Sequence, residues 1–183
     1  MLFKPSVIVF LQRNGLLVAG RRAKSVKFAF PDELIHDLEV QNRTKLVDSC
    51  QQFFTVSGLH NKRVLLVLDY SVVFEKTIKL DQSGQPDKLL EGFVAAMPLA
   101  EGQRACLGVQ SSSELRLFAT NSALCDAVSD ALRAAGVSSI SAVTPIAAYN
   151  LSDQERTVSA ATEHILKDVE VEKQANFQDV TPV

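Results

Sequence analysis

The stretch Gln12-Arg13-Asn14-Gly15 joins two apolar runs, Val7 to Leu11 and Leu16 to Val18. A glycine-bearing bend after a buried strand is where backbone N–H groups can cradle a phosphate. Such loops act with a nearby carboxylate that manages the phosphates and their metal. None is available here: no Asp or Glu stands between Met1 and Pro31, and the eight glycines form no glycine-rich loop. Asn-Gly is instead the strongest short hairpin signal, because both residues tolerate the positive φ of a type I′ turn. The bend therefore reads as a turn, with Arg13 an exposed turn arginine that would meet a phosphate only if another chain brought one. No cofactor and no ATP hydrolysis by this chain alone are expected.

The other candidate groups are as sparse. Two-metal nuclease chemistry needs carboxylates clustered on neighbouring strands. Only Asp69, after the run Val64 to Leu68, stands at a strand end, and an Asp entering a loop is usually a turn former. His36, His60 and His164 are far apart, read as exposed and have no partner four residues away or cysteine nearby, so no metal site is expected. Ser71 or Ser111 to Ser113 would need a base and an oxyanion hole, and the sequence identifies neither. Cys50, Cys106 and Cys125 are odd in number, widely spaced and set among apolar neighbours. They read as small reduced core residues. Nothing in this inventory supports catalysis, and the chain is expected not to be an enzyme.

What positions these residues is an ordinary globular chain of 183 residues, 46% hydrophobic and 22% charged, large enough for one real core. A formal charge of −2 and a pI near 5.9 supply no broad positive field for nucleic acid or an acidic membrane. The basic cluster Arg21, Arg22, Lys24 and Lys27 reads as a solvated strand edge. No apolar run approaches the ~20 residues that cross a bilayer, and the start MLFKPSV lacks a signal peptide's apolar region. A cytoplasmic protein is expected.

The elements alternate consistently. Val7 to Leu11 is too continuously apolar for a strand with one wet face, Leu16 to Val18 follows as the second strand, and Val26, Phe28 and Phe30 alternate as a third, closed by Pro31. From about Asn42 to Val56, Leu46, Val47, Cys50, Phe53 and Phe54 share a helical face that Gly58 terminates. Arg63 to Leu68 is a doubly buried strand, parallel to the first after its helical crossover. Val72 to Leu80 is a strand; Pro86 opens a helix with a stripe of Leu89, Leu90, Phe93, Val94 and Met97; Ala105 to Val109 and Leu115 to Ala119 form a hairpin. Thr120 or Asn121 caps a long helix carrying Leu124, Cys125, Val128, Ala131, Leu132 and Ala135, ended by Gly136. A strand at Ile140 to Val143 follows. Thr144-Pro145 reads as an N-cap with proline at the first helical position, and Ser152 to Glu155 as a capping box for helix to about Lys167. Residues 169–183 read as a loose tail.

Removing residues 71–119 leaves β-β-β-α-β-α-β-α. That predicts an α/β actin-like or ribonuclease H-like half-fold, a mixed five-stranded sheet of order 3-2-1-4-5. Residues 1–70 and 120–168 form it, with 71–119 an inserted β-α-β-β subdomain. The run FPDELIHDLEVQNRTKLVDSCQQFFTVSGLHNKRVLLVLDYSVVFEKTIKL, then LFATNSALCDAVSDALRAAGVSSISAVTPIAAY, resembles the first lobe of PilM-type proteins, actin-like assembly factors of type IV pili. The resemblance covers about Val7 to Tyr149. It rests on a strand running through Asp69-Tyr70-Ser71 into an insert, and on a helix ending Ala134-Ala135-Gly136 before a strand and Pro145-Ile146-Ala147-Ala148-Tyr149. The family's second lobe has no counterpart in this sequence.

The resemblance implies a non-catalytic cytoplasmic scaffold, peripheral to the inner membrane, that receives a short N-terminal segment of a membrane-anchored PilN-like partner at the insert. Two alternatives stand beside it: the cytoplasmic actin-like component of a type II secretion system docking the secretion ATPase, and a degenerate actin/sugar-kinase-like subunit completing an enzyme with a catalytic paralogue. Within the insert, Phe74, Ile78, Leu80, Phe93 and Met97 are the candidate partner-binding residues. Phe74 and Ile78 share a strand face, and are free to line a groove if the helix covers the opposite one. A half-fold also leaves a sheet face to be covered, by the helix with Val158, Ala161, Ile165 and Leu166 or by a second copy, so a homodimer is expected slightly ahead of a monomer.

Overall fold

Continuous apolar runs dictate central strands, and they are central in the computed structural model, which describes residues 5–20, 24–80 and 86–180. Strands β1 (Val7–Gln12), β2 (Gly15–Gly20) and β3 (Val26–Ala29) form an antiparallel meander. A small hairpin, β4 (Ile35–His36) and β5 (Glu39–Val40), leads into α1 (Arg43–Val56). Asn42 caps α1 by accepting the Lys45 N–H, and Gly58 follows its end at φ 71°, the left-handed conformation that glycine adopts without strain. Strand β6 (Arg63–Leu68) then lies parallel to β1.

A 3-10 turn at Tyr70–Val72 replaces the first residues expected of the next strand, so β7 is Phe74–Lys79. Helix α2 (Pro86–Ala95), β8 (Arg104–Gln110) and β9 (Glu114–Asn121) complete a separate three-stranded sheet of order β7-β9-β8. Asn121, not Thr120, caps α3 (Ser122–Ala134), and β10 (Ser139–Pro145) returns parallel to β6. The main sheet is ordered β10-β6-β1-β2-β3, the 3-2-1-4-5 arrangement of a ribonuclease H-like half-fold once the insert's strands and the small hairpin are set aside.

The central strands are buried on both faces. Val9, Leu11, Val64, Leu66 and Leu68 point into the larger core under α1 and α3. Ile8, Phe10, Leu65 and Val67 alternate with them into a second core under α4 (Val158–Ile165), where Ala161, Ile165 and Leu166 are buried. The chain thus covers its own second face in cis, and the argument from an uncovered apolar face to a homodimer falls.

Three further expectations are corrected. Pro145 starts no α-helix: Thr144 and Pro145 pair with Val67 and Leu68 as the end of β10, an edge strand that tolerates proline. The Thr144 hydroxyl, instead of capping, lies 3.1 Å from that of Tyr149. The expected loose tail forms a short helix, α5 (Val169–Gln174), and a 3-10 turn whose Phe177 is buried in the larger core. Finally, the hairpin turn is not type I′. Gln12 pairs with Gly15, so Arg13 and Asn14 are its central residues, and neither has positive φ.

Candidate functional site at the mouth of the sheet

In open α/β sheets the ligand crevice lies outside the carboxyl ends of the parallel strands. Here that mouth is formed by the turn after β1 and by Asp69 after β6. The Asp69 N–H donates to Leu11 O at 2.9 Å, tying the two strand ends together. One carboxylate oxygen, Oδ1, accepts from both the Ser71 N–H (3.0 Å) and the Ser71 hydroxyl (2.7 Å). Ser71 Oγ in turn accepts the Arg13 N–H at 3.0 Å. Asp69, Ser71 and the hairpin turn therefore close on one another.

The Arg13 guanidinium turns outward to Asp37 at 2.6 Å, with His36 Nε2 3.6 Å from the same carboxylate; all three side chains are more than half exposed. Pairs in that setting contribute ~0–1 kcal/mol. Asp37 and Leu38 make the turn of the β4–β5 hairpin with φ of 47° and 70°. Leu38 is held in that strained conformation by burial and by the Asn121 amide, which donates to its carbonyl at 3.2 Å. The sequence reading missed this hairpin, since Asp-Leu is no turn signal.

Gly15 explains why the bend carries a glycine. A Cβ built there would lie 2.0 Å from the Phe28 carbonyl oxygen. The close approach that a phosphate loop reserves for its ligand is taken by the backbone of β3. Asp69 Oδ1 takes both the hydroxyl and the N–H of the residue two positions on, the pattern of an Asx turn at a loop start. Among the described residues no three His, Cys, Asp or Glu side chains are grouped to hold a metal ion.

The other singled-out groups lie apart. His36 and His60 are exposed, but His164 is about one-third exposed and bonds Glu155 through Nδ1 at 2.6 Å. Glu155 also receives the N–H and hydroxyl of Ser152, the expected capping box, and these donors followed by His164 hold its carboxyl down at about 2. The cysteines are buried and unbridged, and burial pushes Cys50 and Cys125 up to about 12. Glu172 is buried with Oε1 unpartnered, and desolvation raises its carboxyl. Of the basic cluster, Lys24 and Lys27 are exposed beside or on edge strand β3; Arg21 and Arg22 lie outside the described residues.

Phe74, Ile78, Leu80, Phe93 and Met97 do come together, with Leu115, Leu117 and Ala119, in the core between the insert's sheet and α2. Phe93 is fully enclosed and the other four named candidates are partly buried. Phe74 and Ile78 share a face as strand alternation requires. The register pairs them with Ala119 and Leu115, which places them on the helix-covered face and not opposite it. The opposite face, with Ala105, Leu107, Val109 and Phe118, packs on the main core.

Arg116 locks that junction. Its guanidinium bonds Glu75 (2.8 Å), Asn150 Oδ1 (2.7 Å) and the Ala147 carbonyl (2.7 Å), and lies 5.2 Å from the Phe118 ring centroid. The only trace of this clamp in the sequence is a charged residue between Leu115 and Leu117 in an otherwise apolar strand.

Several solved structures follow a similar backbone course. One is a PilM-PilN type IV pilus biogenesis complex, 15% identical over 74% of this chain and 46% of that one, with a TM-score of 0.47. Another is the cytoplasmic domain of EpsL, an inner-membrane component of the type II secretion system of Vibrio cholerae, 13% identical over 78% and 58%, also at 0.47. A third is a Bacteroides thetaiotaomicron protein with an actin-like ATPase fold and unknown function, 11% identical over 80% and 54%, again at 0.47. The chain spans about half the length of each. No family model and no curated protein matches the sequence. The half-fold assignment rests on the strand order itself. Among the described residues no helix is long and apolar enough to cross a membrane.

Proposed function

We propose that this chain is a non-catalytic scaffold in an inner-membrane assembly of the type IV pilus or type II secretion kind, held there by a membrane-anchored partner. The observation that carries the non-catalytic half is the closed mouth: the Asp69 carboxylate is engaged by Ser71, Ser71 by the Arg13 N–H, and Gly15 by the β3 backbone. A phosphate has no free nest of N–H groups there and no acidic partner on the first hairpin. The assembly half rests on the resemblance of Phe30 to Leu80 and Leu117 to Tyr149 to the first lobe of PilM-type proteins. On that reading the partner is PilN-like and the chain works at the cytoplasmic face of the inner membrane.

On this reading the partner's segment lies along β7, one of the two edge strands of the insert's sheet. Phe74, Ile78, Leu80 and Met97 are only partly buried beside it, and an apolar strand added there would complete their burial. The test is a pair of calorimetric titrations on the full chain. Magnesium ATP should give no heat of binding, and micromolar affinity would overturn the scaffold reading. A peptide of the partner's N-terminal segment should bind, weakened about tenfold or more by Ile78→Ala; equal binding by the variant would remove β7 as the site.

A further inference from the structure

A second surface lies at the opposite end of the main sheet. Helix α1 ends at Val56 and the chain turns through Gly58 toward β6, so the starts of β1 and β3 and the end of β2 extend beyond the helix that would cover them. They leave a groove of about 560 Å³ floored by Val7, Val18, Val26 and Leu59, with Lys24 and Lys62 at its rim. Val26 is 46% exposed. Among the described residues no carboxylate lines the groove and neither lysine has an acidic partner. In a chain of net charge −2 this is a local concentration of unpaired positive charge over an apolar floor.

The groove crosses the ends of β1, β2 and β3, and β3, last in the main sheet, has one edge unpaired among the described residues. An edge with free N–H and C=O groups is a template for a further strand. We propose that this groove seats an acidic segment of a partner protein, which lies across the strand ends with apolar side chains over Val18 and Val26 and carboxylates toward Lys24 and Lys62, and continues as an extended strand along the free edge of β3. A second copy fits poorly, because an antiparallel β3–β3 pair centred on the strand's start would set Lys24 of each copy opposite Lys27 of the other, and like charges facing across strands destabilise. The inference stands independently of the assembly role and of the site along β7.

A labelled peptide alternating valine and glutamate tests it by fluorescence anisotropy on the full chain, beside the valine–lysine counterpart and vesicles containing phosphatidylglycerol. Binding of the acidic peptide is expected, weaker at high salt, with slowed amide exchange at Val26 to Ala29. The double change Lys24→Glu and Lys62→Glu, at exposed positions, should weaken it roughly tenfold. Equal binding by the lysine peptide, an unaffected double variant or unprotected β3 amides would overturn the proposal. So would recruitment to the vesicles without peptide binding, which would assign the basic rim to a lipid surface.

Discussion

Replacing Phe177 by alanine tests whether the last dozen residues belong to the fold. Phe177 is 6% exposed and packs in the larger core. It also borders a cavity of about 260 Å³ shared with Ala105, Cys125 and Val143. Fully packed phenylalanines lose about 3–5 kcal/mol on truncation to alanine. One side of this ring already faces open space, and a short terminal turn can shift inward, so the lower end applies, about 3 kcal/mol. For a chain of this size each kcal/mol moves Tm by roughly 2–4 °C, giving a fall of about 6–12 °C. Urea unfolding followed by far-UV circular dichroism should show the midpoint falling with unchanged slope. Asn176→Ala is the companion, because Asn176 Oδ1 accepts the Val143 N–H at 2.9 Å and its loss leaves an edge-strand donor without that acceptor, costing about 1–2 kcal/mol. A loss under about 1 kcal/mol for Phe177→Ala would refute the reasoning: residues 175–179 would then lie on the core without contributing to it.

Arg116→Ala removes four hydrogen bonds to three partners at a largely buried guanidinium and should cost about 2–3 kcal/mol, with amide exchange rising first at β7 and β9; Arg116→Lys should not restore it, since an ammonium lacks the planar fork. Gly15→Ala drives a methyl into the Phe28 carbonyl and should cost at least ~2 kcal/mol, detaching β3 before β1, which site-resolved amide exchange can follow. For Glu155, a carboxyl held down to about 2 in the folded chain contributes stability that is present above its unfolded value near 4.5 and lost as pH falls toward 2. Glu155→Gln should therefore flatten the acid limb of the unfolding midpoint between those values, and parallel limbs for wild type and variant would count against the Ser152–Glu155–His164 cluster.

The sequence by itself determined what depends on neighbours in the chain. Continuous apolar runs marked β1 and β6 as central, because a strand buried on both faces has no place for a polar residue. Gly58, Gly136 and the pair Thr120-Asn121 marked helix ends because capping is satisfied within four residues; the Ser152–Glu155 box formed as read but heads a 3-10 turn, and Thr157 caps α4. The order of those elements, with the insert set aside, led to the sheet order. The tertiary structure decided whatever depends on a partner far along the chain. Phe74 and Ile78 share a face by alternation, but which face meets α2 was set by packing. Thr144-Pro145 has the local form of a helix start, yet pairing with Val67 and Leu68 kept it in a strand. Arg116, Asp69 and Ser71 carry no signal of their bonds to Ala147, Leu11 and Arg13. The terminal segment, polar and without clear periodicity, reads as loose because one buried ring and one side-chain cap hold it, and neither leaves a periodic trace.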